Sequence, residues 1–174
     1  KLAIASTIVV GSIGISSASY ANNSMAVSTT VGAGCTVSIA TTMTFDEYKP
    51  VTDHASTDLT KSSNITAQCT NLTAAIISLS GGANNNNSTS TQHSAPTRRM
   101  RIGTTADYLN YDLNTTDSAS GTEWGSNDGV DAGGVTYEGN GTSETLIVYG
   151  RIPAAQNVAT GSYTDTVVVT IALG

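Results

Sequence analysis

Positive charge is scarce in this sequence: seven Lys and Arg stand against 13 Asp and Glu, a formal net charge of −6 over 174 residues. That balance argues against nucleic acid or an anionic membrane as a partner. Proline (3), tryptophan (1) and phenylalanine (1) are few, whereas Gly, Ser, Thr and Asn are abundant. No stretch holds a 3.6-residue apolar period through three turns, so helix is excluded as the main element. There is no paired CxxC, and the two histidines, His54 and His93, stand far apart, so no metal site is expected. GxSxG, HExxH and Gly-rich phosphate-loop patterns are absent as well. The adjacent carboxylates Asp46 and Glu47 would point to opposite sides of a strand. A Ser, His and Asp set can be drawn from any chain so rich in serine, which is composition and not a site. The expectation is a protein that is not an enzyme and carries no cofactor.

What is present begins with Leu2 to Ile15, an apolar and small-residue run behind Lys1, followed by Ser16-Ser17-Ala18-Ser19-Tyr20-Ala21. Small residues at the minus-three and minus-one positions of a cut after Ala21 mark residues 1–21 as a signal peptide. A membrane anchor is the alternative, but the run is shorter than the roughly 18 to 20 apolar residues of a span, and Ser and Gly dilute it. No stable membrane insertion is expected. Removing 21 of 174 residues leaves 153, the size of one domain. With Lys1 gone, six Lys or Arg face 13 Asp or Glu, a net charge of −7. The two cysteines, Cys35 and Cys69, remain, and an even count in an oxidising compartment reads as one disulfide. Closing that loop would stabilise the fold by roughly 3 to 4 kcal/mol on the chain-entropy model.

Short runs of period two recur along the chain. Cys35, Val37 and Ile39 share one face; so do Ile65, Ala67 and Cys69, then Ala75, Ile77 and Leu79 before Gly81-Gly82. Leu109, Tyr111 and Leu113 follow, then Leu146, Val148, Gly150 and Ile152, and finally Tyr163, Val167, Val169, Ile171 and Leu173. With a short strand at Met43 to Phe45, these make six or seven strands between turn-rich loops, the pattern of a β-sandwich.

The segment before the first of these strands has the same alternation. Met25, Val27, Thr29 and Val31 fall on one side of an extended ribbon, and Gly32-Ala33-Gly34 separates that ribbon from Cys35. A strand-like, one-sided arm on a hinge of small residues is suited to completing another molecule's sheet. At the other end the chain stops at Gly174, and no further strand follows Tyr163 to Leu173 to cover its edge. The expectation is a sandwich that lacks one strand at its C-terminal end and owns a spare at its N-terminal end. An uncovered edge of that kind must be paired.

Two segments read as surface loops. Gly81 to Ala95, with Asn84-Asn85-Asn86-Asn87, has almost nothing to bury and is expected to be mobile. Asn114 to Gly141 also holds Trp124, Val130, Val135 and Tyr137, so part of it packs; its Asp128 and Asp131 lack the twelve-residue calcium pattern and read as an ordinary turn. Arg98-Arg99-Met100-Arg101 is the basic cluster, expected as a solvated strand entry paired with acids, an anionic ligand being the alternative.

These residues together resemble a known family. Gly34-Cys35-Thr36-Val37, Met43-Thr44-Phe45 with Tyr48 and Pro50, Ile65 to Cys69-Thr70 and Leu79-Ser80-Gly81-Gly82 carry the first half of the likeness. Arg99-Met100, Leu109-Asn110-Tyr111-Asp112-Leu113, Trp124-Gly125, Val148-Tyr149-Gly150-Arg151-Ile152-Pro153 and Gly161-Ser162-Tyr163-Thr164-Asp165 with Thr166 to Thr170 carry the second. In this order they resemble the spore coat protein U domain family, which includes the pilin subunits of archaic, Csu-type chaperone-usher fimbriae. The chain departs from the family at Asp46, where glycine is usual, and in the Asn-rich loop and Val130 to Asn140, which therefore inherit no role.

The resemblance implies an all-β fold, an incomplete immunoglobulin-like β-sandwich completed by an N-terminal donor strand from a neighbouring subunit. It implies a secreted fimbrial subunit that passes through the periplasm to the cell surface and polymerises by donor-strand exchange for adhesion and biofilm formation. Its partners would be identical or related pilin subunits in a head-to-tail homopolymer, a periplasmic chaperone and an outer-membrane usher. On that scheme residues 1–21 are the signal peptide, 22–34 the arm and hinge, and 35–174 the pilin domain. Met25, Val27, Thr29 and Val31 are donor plugs, and Tyr163, Val167, Val169, Ile171 and Leu173 form one wall of the acceptor groove. The alternative is a self-complemented monomeric spore or cell-coat protein of the same fold.

Overall fold

The computed structural model describes residues 23–86, 97–118, 121–125 and 133–174. The expected signal peptide lies outside them, as do Val130 and the turn at Asp128 and Asp131. The chain divides into two compact units, Lys1–Val31 and Gly32–Gly174. In the first unit, residues 23–31 form no regular secondary structure, and Met25, Val27 and Val31 are exposed.

The second unit is built of strands. They are β1 (Cys35–Ile39), β2 (Leu59–Cys69), β3 (Ala74–Leu79), β4 (Arg99–Ile102), β5 (Tyr108–Asn110), β6 (Asp112–Asn114), β7 (Val135–Glu138), β8 (Glu144–Ile152), β9 (Tyr163–Thr164) and β10 (Val169–Leu173). No helix is present among the described residues, so none there is long and apolar enough to cross a membrane. One sheet has the order β1-β2-β8-β6, a second β10-β3-β7, and a small third β5-β4-β9. The first order is the A-B-E-D order of an immunoglobulin-like sandwich, with β8 as E and β6 as D. In the second sheet β10 and β3 take the places of F and C. Among the described residues no strand pairs with the other edge of β10, where strand G of a complete sandwich would lie.

Period two explains the long strands directly. In β2 every second residue from Ser63 to Cys69 is buried, and in β3 Ala75, Ile77 and Leu79 are buried. These meet Val148 and Ile152 of β8, together with Leu109, Tyr111, Leu113 and Trp124, in one core. Each large apolar side chain placed there contributes about 1.5 to 3 kcal/mol by leaving water. Cys35 stands opposite Cys69 in the β1–β2 register, and the two form a disulfide that fastens the edge strand to its neighbour.

Five expectations from the sequence are corrected. Met43 to Phe45 forms no strand, although Met43 and Phe45 still pack against the core. Asp46 and Glu47 lie outside any strand, and both are exposed. Leu109 to Leu113 is not one strand: the chain changes sheets at Tyr111, whose N–H donates to the Arg98 carbonyl, so β5 belongs to the third sheet and β6 to the first. Tyr163 to Leu173 is likewise interrupted. β9 pairs with β4 and β10 with β3, while the Val168 N–H donates to Ser80 Oγ and its carbonyl accepts from the Ser80 N–H. The Gly81 to Ala95 loop is fastened where it is described. Asn84 donates from its backbone and its side chain to Asp165 Oδ1, and Gly81 and Gly82 are buried.

Candidate functional site

Arg98 is the least expected residue of the core. The basic cluster reads as solvated, yet Arg98 is 1% exposed. Its guanidinium donates to the carbonyls of Ser80 (2.9 Å), Leu79 (2.9 Å) and Trp124 (2.6 Å) and pairs with Glu123 at 3.0 Å. The ring of carbonyls meets the requirement that a buried charge be hydrogen-bonded. Burial lowers the Arg98 pKa, and burial pushes the Glu123 carboxyl up to about 7 against the pull of Arg98. Trp124 adds a bond from Nε1 to the Ile77 carbonyl at 2.8 Å. The segment 121–125 is thereby stitched to the end of β3, a role that the Gly- and Ser-rich sequence around it hides. Arg99 lies in a different setting, with its guanidinium carbon 3.7 Å from the centroid of the Tyr108 ring.

The sandwich opens into a cavity of about 990 Å3. One side is formed by Ile39 at the end of β1 and by Met43, Phe45 and Tyr48 of the strandless segment after it. The opposite side is formed by Val158, Tyr163, Val167 and Val169. Its floor is Ile65, Leu79, Leu109, Leu113, Val148 and Ile152. Of the residues expected as a groove wall, Tyr163, Val167 and Val169 face this cavity. Ile171 and Leu173 lie farther along β10, opposite Ile77 and Ala75 of β3, and do not line it. Leu173 is 54% exposed.

Both ends of the opening are held by side-chain bonds. Tyr48 donates its hydroxyl to the Pro153 carbonyl at 2.9 Å, accepts from the Gln156 N–H at 3.0 Å, and stacks on His54. On the other side Tyr111 donates to Asp165 Oδ2 at 2.7 Å. Burial, and then this bond to a carboxylate, push the Tyr111 phenol well above its usual range. Gly82 permits that arrangement. Its φ is +84°, and a Cβ there would overlap Asp165 Oδ2 and stand 2.9 Å from Asp165 Cγ.

Sequence reasoning missed Tyr48, Met100 and Val158 as cavity residues and missed Gly150 beneath it. The signal for Gly150 was a glycine on the inner face of an apolar strand, which marks a close approach by another part of the chain. No periodicity marks Val158, because it lies in an irregular connection.

A sandwich of immunoglobulin-like strand order with an apolar opening, in which no described strand pairs the outer edge of β10, defines the class of this β-domain. The chain belongs to the Spore Coat Protein U domain family, whose model matches residues 21–170. It is 34% identical over 146 residues to Protein U of Myxococcus xanthus, covering 81% of this chain and 78% of that protein. Its fold is similar to a chain of the CsuC–CsuE chaperone-tip adhesion subunit pre-assembly complex from archaic chaperone-usher Csu pili of Acinetobacter baumannii. The TM-score is 0.55 at 22% identity, and the match covers 82% of this chain and 40% of that chain.

Proposed function

We propose that this protein is a structural subunit of a chaperone-usher fimbria that polymerises by donor-strand exchange. The observation that carries this is the cavity of about 990 Å3 beside an edge of β10 that no described strand pairs. An apolar trough next to unpaired backbone groups calls for an extended segment with alternating apolar side chains. Met25, Val27, Thr29 and Val31 of a second copy are such a segment. Residues 1–21 act as the signal peptide, 22–34 as arm and hinge, and 35–174 as the pilin domain. The acceptor wall narrows to Tyr163, Val167 and Val169, facing Met43, Phe45 and Tyr48. Because the contact joins unlike surfaces, it does not close on itself and propagates as a fibre. The chain travels through the periplasm, where a chaperone covers the same trough, and an outer-membrane usher delivers it to the cell surface for adhesion and biofilm formation.

A second function, as a self-complemented monomeric coat protein, draws support from the relation to Protein U and from the spore-coat family itself. Size-exclusion chromatography of chaperone-free refolded protein separates the two. The fimbrial function predicts assemblies or aggregates; a stable soluble monomer with a protease-protected arm would overturn it.

A further inference from the structure

We propose that Gly150 is a positioning residue that sets the depth of the cavity and thereby its fit for a donor strand; the proposal rests on the donor-strand function above. β8 points Val148, Gly150 and Ile152 inward, and Val148 and Ile152 form cavity floor. At Gly150 no side chain projects, and Met43 and Phe45 reach in from the facing segment to fill the space. A Cβ at Gly150 would stand 2.7 Å from Phe45 Cζ and 3.0 Å from Met43 Cε, and closer still to Met43 Sδ. Carbon atoms pack at about 3.5 to 4.0 Å, so something must move.

The geometry decides what moves. The backbone at Gly150 is held on both sides, paired with Lys61 of β2 and Leu113 of β6. Its φ lies outside the left-handed region, so alanine is accommodated there without backbone strain. Met43 and Phe45 stand on a segment that is in no strand, and both border the cavity. The open space beside them is therefore the cavity itself. A single methyl on β8 drives these two side chains into the trough that a donor strand would occupy. Gly150 thus acts through Met43 and Phe45 and need not touch the donor.

The test measures binding of a labelled synthetic peptide of residues 23–34 by fluorescence anisotropy to full-length protein carrying Val27→Asp, so that its own arm does not compete. Gly150→Ala in that background should bind the peptide about tenfold more weakly. Adding Met43→Ala, which removes the side chain nearest the new methyl, should recover much of the loss. Equal binding by the Gly150→Ala protein and its parent, or no recovery in the double variant, would overturn the proposal. Failure of the parent itself to bind peptide would count against the donor-strand function. In that event the methyl resonance of Met43 in methionine-labelled protein decides the role of Gly150: it should shift in Gly150→Ala, and an unchanged resonance would overturn it.

Discussion

Arg98 and Glu123 show how a charged pair can serve as a structural pin. Replacing Arg98 with Met leaves the Glu123 carboxyl half-buried without its partner and three carbonyls without a donor, so a loss of about 3 to 5 kcal/mol is expected in urea denaturation. Glu123 itself imposes a pH dependence. Its folded pKa, about 7, lies above the ordinary 4.5, so the folded state holds the proton more tightly. Its contribution is then fully present below about pH 4.5, falls as pH rises, and is lost above about pH 7. Glu123→Gln keeps an acceptor for Arg98 and should flatten that decline; an unchanged slope between pH 4.5 and 8 would contradict the assignment. Gly82 is a third sensitive residue. Gly82→Ala places a side chain at positive φ and against Asp165, breaking the bonds that Asp165 receives from Tyr111 and Asn84. A loss of about 1 to 3 kcal/mol should appear as a lower urea midpoint.

At the scale of elements, the strands that are paired on both sides or bury a full face were legible in the sequence, because period two survives there. Ile65, Ala67 and Cys69 of β2 and Ala75, Ile77 and Leu79 of β3 are all buried as their spacing requires. Met43 to Phe45 has the same alternation and yet forms no strand. A strand needs a ladder partner, and this segment faces the open cavity instead. Tyr163 to Leu173 is broken because Asp165 and Val168 are claimed by Tyr111, Asn84 and Ser80, contacts between segments more than 50 residues apart. Arg98 was misplaced for a related reason: its carbonyl partners are Leu79 at the end of β3, Ser80 just after it, and Trp124, which composition does not connect. Tyr163, Val167 and Val169, marked by their alternation, line the cavity; Tyr48, Met100 and Val158 line it too, and only tertiary packing brings them there. The disulfide belongs to this scale as well. Cys35→Ser with Cys69→Ser frees the edge strand β1 from covalent attachment to β2 and should cost roughly 3 to 4 kcal/mol in urea denaturation.

At the scale of the whole molecule, one chain carries both an arm with exposed apolar side chains at Met25, Val27 and Val31 and a sandwich with an apolar opening. On the proposed donor-strand function, Val27→Asp and Val31→Asp would carry a carboxylate into the opening of a second copy, where an unpaired charge costs several kcal/mol or keeps the arm out. Ser28→Asp, on the other face of the arm, is the control. The body from Cys35 to Leu173 is untouched by all three changes, so each variant should fold and be captured by the chaperone. The deciding measurement is fibre yield by electron microscopy, with chaperone-bound subunit quantified in parallel. Val27→Asp and Val31→Asp are expected to abolish or shorten fibres while chaperone-bound subunit persists and Ser28→Asp assembles normally. Fibres of normal length from both Val27→Asp and Val31→Asp would contradict the donor-strand function.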